Sequence, residues 1–113
     1  MSLVKIACIQ TNSSSDPDEN IDAVSGLIRK ASASGAQIIT TPEVVGMLEP
    51  NRTLALSKAE PEKHHRVLKA FRELALELDI WLLIGSISIK ISETKLSNRS
   101  FLIDSNGEIV ARY

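Results

Sequence analysis

The sequence has 113 residues, of which 43% are hydrophobic and 24% are charged, a composition typical of one soluble globular domain rather than a disordered segment. Its net charge is -1, and it has no basic stripe that could neutralise a phosphate backbone. The sequence therefore lacks the usual features of a nucleic-acid-binding protein. No segment has the length of an apolar membrane span, and the first residues do not form a signal-peptide pattern. We therefore expect a cytoplasmic protein, with neither nucleic acid nor a membrane as a partner.

The first predicted element is a strand over residues 3–10, "LVKIACIQ". Its nearly continuous apolar run with β-branched residues is typical of a strand that is covered on both faces of a parallel sheet. The only cysteine, Cys8, lies within this run, so an internal disulfide is excluded. A thiol between apolar neighbours is normally inert. We interpret Cys8 as a small core residue and not as a nucleophile.

A helix is predicted after the polar loop "TNSSS". Asp16 can act as its N-cap, Pro17 suits the first helical position, and Glu19 has the spacing of a capping box. Gly35 supplies the left-handed residue that commonly ends a helix. A second strand, "QIITT", follows over residues 37–41. This β-α-β unit predicts two parallel strands joined by a right-handed crossover.

Glu43 follows Pro42 directly after the second strand. Most glutamates in Pro-Xaa turns are simply solvated, and that interpretation stays open from this stretch alone. However, open α/β sheets bind their ligands in the crevice outside the carboxyl ends of the parallel strands. The position of Glu43 therefore makes it the candidate site residue of the sequence.

The second half of the chain predicts one more helix, which begins at Pro61 and has an apolar face that includes Val67, Phe71 and Leu74. His64 and His65 are adjacent on its first turn, whereas two metal ligands on one helical face need a spacing of three or four residues. A solvated or partly packed pair is the favoured interpretation, and no metal site is predicted.

Three strands complete the predicted order. The third strand covers residues 80–91, with Trp81 interpreted as core and Gly85 as a point of close backbone approach or a bulge. Residues 98–104 and 108–113 form an antiparallel pair, because Asn106 and Gly107 between them are typical of a hairpin turn. The fold class is thus α/β, a mixed β-sheet with helices on one side.

The segments "VKIACIQ", the helix that carries Asn20, "ASGAQIITTPEVVG", "LLIGSISIK" and "NRSFLIDSNGEIVARY" together resemble the amino-terminal part of the nitrilase superfamily of carbon-nitrogen hydrolases, nearest to its amidase branches. The resemblance implies that residues 1–113 are the amino-terminal portion of a single hydrolase domain, truncated before the catalytic lysine and cysteine. It further implies a four-layer α-β-β-α sandwich, a small-molecule amide or nitrile substrate, no cofactor, and a homodimer as the complete protein.

In this family the glutamate of the Pro-Glu pair is catalytic, and Glu43 is the match. The implied chemistry is attack by a cysteine thiol on an amide or nitrile carbon, a thioester intermediate, and release of the acid by water. A carboxylate in a partly apolar pocket suits the role of general base, and a lysine would stabilise the oxyanion. Lys90 and Lys95 do not match the position of that lysine, so we expect the 113-residue chain alone to be inactive.

Two alternatives stay open. A flavodoxin-like domain would bind phosphate or flavin at the loop "TNSSSD", although the acidic start "DPDE" of the following helix disfavours an anion there. A purely structural or interaction role would need no motif. Binding titrations with flavin or phosphate would favour the first of these alternatives, whereas a downstream lysine and cysteine would favour the hydrolase.

Overall fold

A five-stranded mixed sheet organises the fold, and its strands lie side by side in sequence order. The computed structural model describes residues 3–113. In chain order, the elements are β1 (Ile6–Cys8), α1 (Pro17–Ala33), β2 (Ile38–Thr40), α2 (Arg52–Lys58), a 3-10 turn (Glu62–His64), α3 (Arg66–Leu78), β3 (Trp81–Lys90), β4 (Leu96–Ile103) and β5 (Ile109–Arg112).

The directions of the strands confirm the predicted α/β class. β2 pairs in parallel with both β1 and β3, whereas β4 pairs antiparallel with both β3 and β5. The turn between β4 and β5 places Gly107 at φ 77, a left-handed conformation that glycine adopts without steric cost. The hairpin that Asn106 and Gly107 predict is therefore present.

The start of α1 follows the sequence closely, with one difference. The side chain of Asp16 accepts a hydrogen bond from the Asp18 backbone N–H at 2.9 Å, and Pro17 is the first helical residue. The capping box does not form, because the backbone N–H of Asp16 donates to Ser14 Oγ at 3.1 Å instead of to Glu19. Glu19 accepts from the same Ser14 hydroxyl at 3.1 Å. The polar loop thus takes over part of the capping.

One hydrophobic core lies between the sheet and the helices α1 and α3, which contact each other. Burial of this apolar surface is the main stabilising contribution to a fold of this size. Most of its deeply buried members come from both helices and from the inward face of the sheet, among them Val24, Ile28, Ile39, Phe71, Leu82, Ile84, Ile87, Phe101 and Ile103.

The other face of the sheet is open, and this corrects two predictions. Cys8 is exposed and Trp81 is 40% exposed, whereas the sequence places both in the core. β1 is an edge strand with only one face covered, so a continuous apolar run there does not indicate burial on both sides. The open face carries two rows of aligned residues, which we call the open-face rows: Cys8, Thr40, Leu83, Leu102 and Ala111, and beside them Ile6, Ile38 and Trp81.

Helical boundaries after β2 also differ from the prediction. α2, a short helix capped by the side chain of Asn51 at the N–H of Leu54 (3.0 Å), has no counterpart in the sequence-based assignment. The predicted helix from Pro61 is divided into a 3-10 turn and α3, because His65 adopts an extended conformation between them. None of the helices within residues 3–113 is long and apolar enough to cross a membrane.

Candidate active site

Glu43 lies in the turn directly after β2, at the carboxyl end of the parallel strands where the sequence places it. Its side chain is exposed, and within residues 3–113 it makes no hydrogen bond or salt bridge. The partly apolar pocket that we expect around a general base is therefore not formed by the described residues. What they do form is a rigid support beneath the carboxylate.

Gly85 allows the Glu43 turn to pack directly against β3. A Cβ atom at this position would lie 2.5 Å from the carbonyl carbon and oxygen of Pro42 and 2.6 Å from the oxygen of Thr41. These are backbone atoms, so any side chain would force the turn or the strand to move. The amide of Gly85 also donates to Thr41 Oγ1 at 3.2 Å. The predicted close approach at Gly85 is confirmed, and its partner is the Pro-Glu turn.

The residue after Glu43 has a strained backbone. Val44 has a φ of 52, and a β-branched residue in this left-handed region is a real outlier that costs on the order of 1–3 kcal/mol. Two hydrogen bonds to Ser86 of β3 hold it there. The Val44 N–H donates to Ser86 Oγ at 2.8 Å, and the Val45 N–H donates to the Ser86 carbonyl at 3.2 Å. Strain of this kind is concentrated at functional sites.

Asn20 fixes the far end of the same turn. Its side chain is 4% exposed and makes three hydrogen bonds: Oδ1 accepts from the Ser14 N–H at 2.8 Å, and Nδ2 donates to the carbonyls of Ser14 at 2.8 Å and Gly46 at 2.9 Å. The Leu48 N–H also donates to the Ser14 carbonyl at 2.8 Å. The irregular segment that follows Glu43 is thus tied to both α1 and the loop before it.

The other reactive groups considered from the sequence do not join this turn. Lys90 ends β3 and lies 3.5 Å from the carboxylate of Glu93, and neither Lys90 nor Lys95 forms a salt bridge with Glu43. Cys8 is exposed on the open face, where it is aligned with Thr40 of β2. Within residues 3–113, the carboxylate of the turn is therefore not hydrogen-bonded to any thiol or ammonium group.

The adjacent histidines have separate environments, which agrees with the predicted solvated or partly packed pair. His64 is exposed, whereas His65 is 7% exposed and caps α3: its Nδ1 accepts from the Leu68 N–H at 3.4 Å, and its Nε2 lies 2.9 Å from the Ser88 carbonyl. These contacts assign the neutral tautomer with the proton on Nε2. No group of three or more potential metal ligands occurs within residues 3–113.

We expect the free energy of unfolding to fall as the pH drops below about 6.5, because burial lowers the pKa of His65 from its ordinary value of 6.5, and only weaker effects, led by the Ser88 carbonyl, oppose it. The unfolded chain then binds the proton that the folded chain rejects, so this contribution is complete above 6.5 and is lost on acidification. Urea unfolding of wild type and His65→Asn over this range measures the effect, with His64→Ala as the control. If the free energy of unfolding of His65→Asn depended on pH as strongly as that of wild type, this prediction would be contradicted.

A groove of about 670 Å³ lies between α3 and the turn that joins β4 to β5. Charged residues of both signs line it, including Lys63, Arg72 and Glu108, and Glu43 does not. Arg72 donates to the Gly107 carbonyl at 2.8 Å and is therefore used to hold the turn. The groove brings no nucleophile together with a base, and the Glu43 turn stays the candidate site.

The position of β1 argues against the flavodoxin-like alternative. A flavodoxin-like sheet places its first strand between the second and the third, and the ligand binds where the strand order reverses. Here β1 is at the edge and pairs only with β2. The start of α1 is also occupied by acidic side chains, of which Asp18 lies 3.4 Å from Arg66.

Comparison with known proteins gives consistent results. The carbon-nitrogen hydrolase family model matches residues 5–113. Deaminated glutathione amidase from Homo sapiens is 29% identical over 114 residues, which cover 96% of this chain and 34% of the human protein. The enzyme of the same name from Yersinia enterocolitica is 28% identical over 115 residues, or 100% of this chain and 40% of that protein.

Solved structures agree with these sequence matches. An amidase from Nesterenkonia sp. superimposes with a TM-score of 0.81 at 26% identity, covering 97% of this chain and 41% of that one. The NitN amidase gives 0.82 at 26% identity, with 98% and 43% coverage. The chain spans less than half the length of each of these relatives. The resemblance that the Pro-Glu turn and the strand order indicated is thereby confirmed, and the chain belongs to the carbon-nitrogen hydrolase family of the nitrilase superfamily, with amidases as its relatives.

Proposed function

We propose that this chain supplies the general base, Glu43, of a site that hydrolyses small-molecule amides, and that the nucleophilic cysteine and the oxyanion-stabilising lysine come from polypeptide outside these 113 residues. Membership of the family supports carbon-nitrogen hydrolysis in general. The assignment of Glu43 has its main support in one observation: the carboxylate lies at the carboxyl end of the parallel strands, on a turn whose backbone is fixed on both sides.

The proposed role of Glu43 is to move a proton in each half of the reaction. Its carboxylate takes the proton of the thiol, and the thiolate attacks the amide carbon to form a tetrahedral intermediate. The proton then passes to the departing nitrogen, so ammonia or an amine leaves and a thioester remains. Glu43 next takes a proton from water, which attacks the thioester and releases the acid and the thiol.

Fixed geometry is what this chain contributes to such a reaction. A base acts efficiently only when it is within hydrogen-bonding reach of the proton that it removes, and small displacements reduce the rate strongly. The side chain of Glu43 is exposed, but the N–H groups of the next two residues, Val44 and Val45, donate to Ser86 of β3, and Val45 and Gly46 are buried. A positioned backbone with an accessible carboxylate suits a group that meets a substrate and a thiol from another segment.

Amides are favoured over nitriles as the substrate class because the relatives are amidases. One solved structure is of a mutant amidase from Nesterenkonia sp. AN1 in complex with butyramide, and another shows Michael addition of acrylamide at the active site cysteine of that enzyme. We therefore propose small primary amides as substrates. We further propose that the complete protein is a cytoplasmic homodimer. The polypeptide outside these 113 residues would cover the open-face rows.

The test uses the complete protein that carries residues 1–113, supplied with butyramide, related primary amides and the matching nitriles. We expect ammonia release from amides, together with a protein mass that increases by the acyl group when the intermediate is trapped. Flavin mononucleotide and inorganic phosphate are titrated in parallel. Binding of either without any amide or nitrile turnover would support the flavodoxin-like alternative and contradict the hydrolase. Turnover of nitriles alone would correct the substrate class.

A further inference from the structure

β3 is irregular at the point where it contacts the Glu43 turn. Its pairing with β4 shifts between Ile84 and Ile87, so Gly85 and Ser86 both lie opposite Ser100. A bulge of this kind bends the strand and changes the direction of a side chain. As a consequence, Ser86 and Ile87 are both buried although they are consecutive, which regular alternation along a strand does not give. The Ser86 side chain is thereby directed at the turn after β2.

Ser86 meets the turn with both of its oxygen atoms. Its Oγ accepts the N–H of Val44 at 2.8 Å, and its carbonyl accepts the N–H of Val45 at 3.2 Å. Val44 is the residue with the left-handed backbone, and it directly follows Glu43. Without the Oγ, the left-handed Val44 would lose the hydrogen bond that offsets its unfavourable conformation.

The alternative conformation of Val44 would move Glu43. If the φ of Val44 relaxed to the ordinary negative range, the chain direction on that side of the glutamate would change while Pro42 stayed packed against Gly85. The Cα–Cβ bond of Glu43 would then turn with its peptide planes. One buried hydroxyl, 42 residues away in sequence, thus holds the residue that directly follows Glu43.

We propose that Ser86 is a positioning residue for Glu43, acting through its hydrogen bond to the strained Val44. The inference rests on the proposed function, since it assigns Ser86 a role in the same site. The side-chain hydroxyl of Ser86 holds Val44, whereas its backbone carbonyl holds Val45 and would be kept by any substitution.

The structural part of the test uses the 113-residue chain and amide hydrogen exchange measured by mass spectrometry at low concentration. Ser86→Ala should speed exchange in the segment 41–48 on the order of 10-fold, the expected effect of one lost hydrogen bond, while α3 exchanges as in wild type. Ser86→Thr, which keeps a hydroxyl, should restore protection. Ser88→Ala is the matched control, because it removes a hydroxyl of the same strand whose one hydrogen bond within residues 3–113 is to Asn98. Equal acceleration throughout α3 would indicate general destabilisation and overturn the inference.

The catalytic part uses the complete protein. Ser86→Ala should lower kcat about 10-fold with KM nearly unchanged, because a misdirected base slows the chemical step more than it weakens binding. Val44→Gly should reduce the penalty when combined with Ser86→Ala, since glycine adopts a left-handed backbone without help. Ser86→Thr should keep activity, and Ser88→Ala should behave as wild type.

The two hypotheses fail in different ways. If Glu43→Gln abolishes turnover while Ser86→Ala equals Ser88→Ala, the proposed function stands and the positioning role of Ser86 is overturned. If Glu43→Gln keeps full turnover, the proposed base is wrong, and the role of Ser86 in positioning it is overturned as well. A kcat loss in Ser86→Ala that neither threonine nor Val44→Gly reduces would also overturn the inference.

Discussion

Replacement of Glu43 by glutamine should lower amide turnover by the complete protein by ~10²–10⁴-fold, the range expected when a general base is removed. Glutamine keeps the size of the side chain and its capacity for hydrogen bonds, but it does not accept a proton from a thiol. Because the Glu43 side chain is exposed and makes no hydrogen bond or salt bridge within residues 3–113, its replacement should leave the fold and its stability unchanged. The effect should therefore be confined to the reaction rate.

The measurement is the rate of acyl-enzyme formation in single-turnover experiments, compared with ammonia release at steady state. Glu73→Gln is the matched control, since Glu73 is an exposed glutamate on α3 and the same chemical change there should have no effect. Acyl-enzyme formation by Glu43→Gln at nearly the wild-type rate would show that another group takes the thiol proton.

The 113-residue chain alone should release no ammonia from any amide or nitrile. Glu43 has neither a thiol to deprotonate nor a cation beside it among the described residues, and groups that act together in catalysis contribute little when the others are missing. The assay compares wild-type chain with Glu43→Gln on the same panel of amides. A turnover that depends on Glu43 in a pure preparation would contradict this prediction.

The same chain should also self-associate. The open-face rows place Ile6 (59% exposed), Leu83 (42%) and Trp81 (40%) on one side of the sheet, and β1 and β5 leave two unpaired strand edges. Contiguous exposed apolar surface and free edges both favour contact with another molecule. Sedimentation over a range of concentrations measures this, with Leu83→Lys as a variant that should remain smaller. A monodisperse wild-type monomer at high concentration would argue against it.

The parts of the fold that follow local rules could be predicted from the sequence. Asp16 and Pro17 start α1 as their residue types indicate, Gly35 has the left-handed φ of 97 that ends it, and Gly107 forms the final hairpin. These features depend on a few adjacent residues, and the energetic preference is local. The position of Glu43 at the end of β2 follows from the β-α-β unit in the same way.

The exposure of Cys8 and Trp81 and the short helix α2 could not be predicted from local sequence rules. The apolar run around Cys8 is compatible with a strand covered on two faces, but the number of covered faces depends on which strand is at the edge. The prediction that Trp81 belongs to the core is wrong for a related reason, since β3 has one open face. α2 has no apolar periodicity over its seven residues, so only its Asn51 cap could have indicated it.

The support of the candidate site was also beyond local reasoning. The sequence indicates Asn20 only through the family resemblance, and its hydrogen bond to Gly46 joins positions 26 residues apart. Ser86 and Val44 are 42 residues apart, and neither residue type suggests a left-handed valine. Hydrogen bonds of this range leave no periodic pattern in a sequence. Gly85 was the exception, since a glycine within a strand indicates close approach even when its partner is unknown.

The long range of these contacts has a consequence for the order of folding. The turn that carries Glu43 accepts a hydrogen bond from Asn20 on one side and donates one to Ser86 on the other, and it has no regular secondary structure of its own. Contacts between distant positions form late, because closing large loops costs entropy before any contact compensates for it. The Glu43 turn is therefore fixed only once α1 and β3 have docked, and an incompletely folded chain does not hold this carboxylate in place.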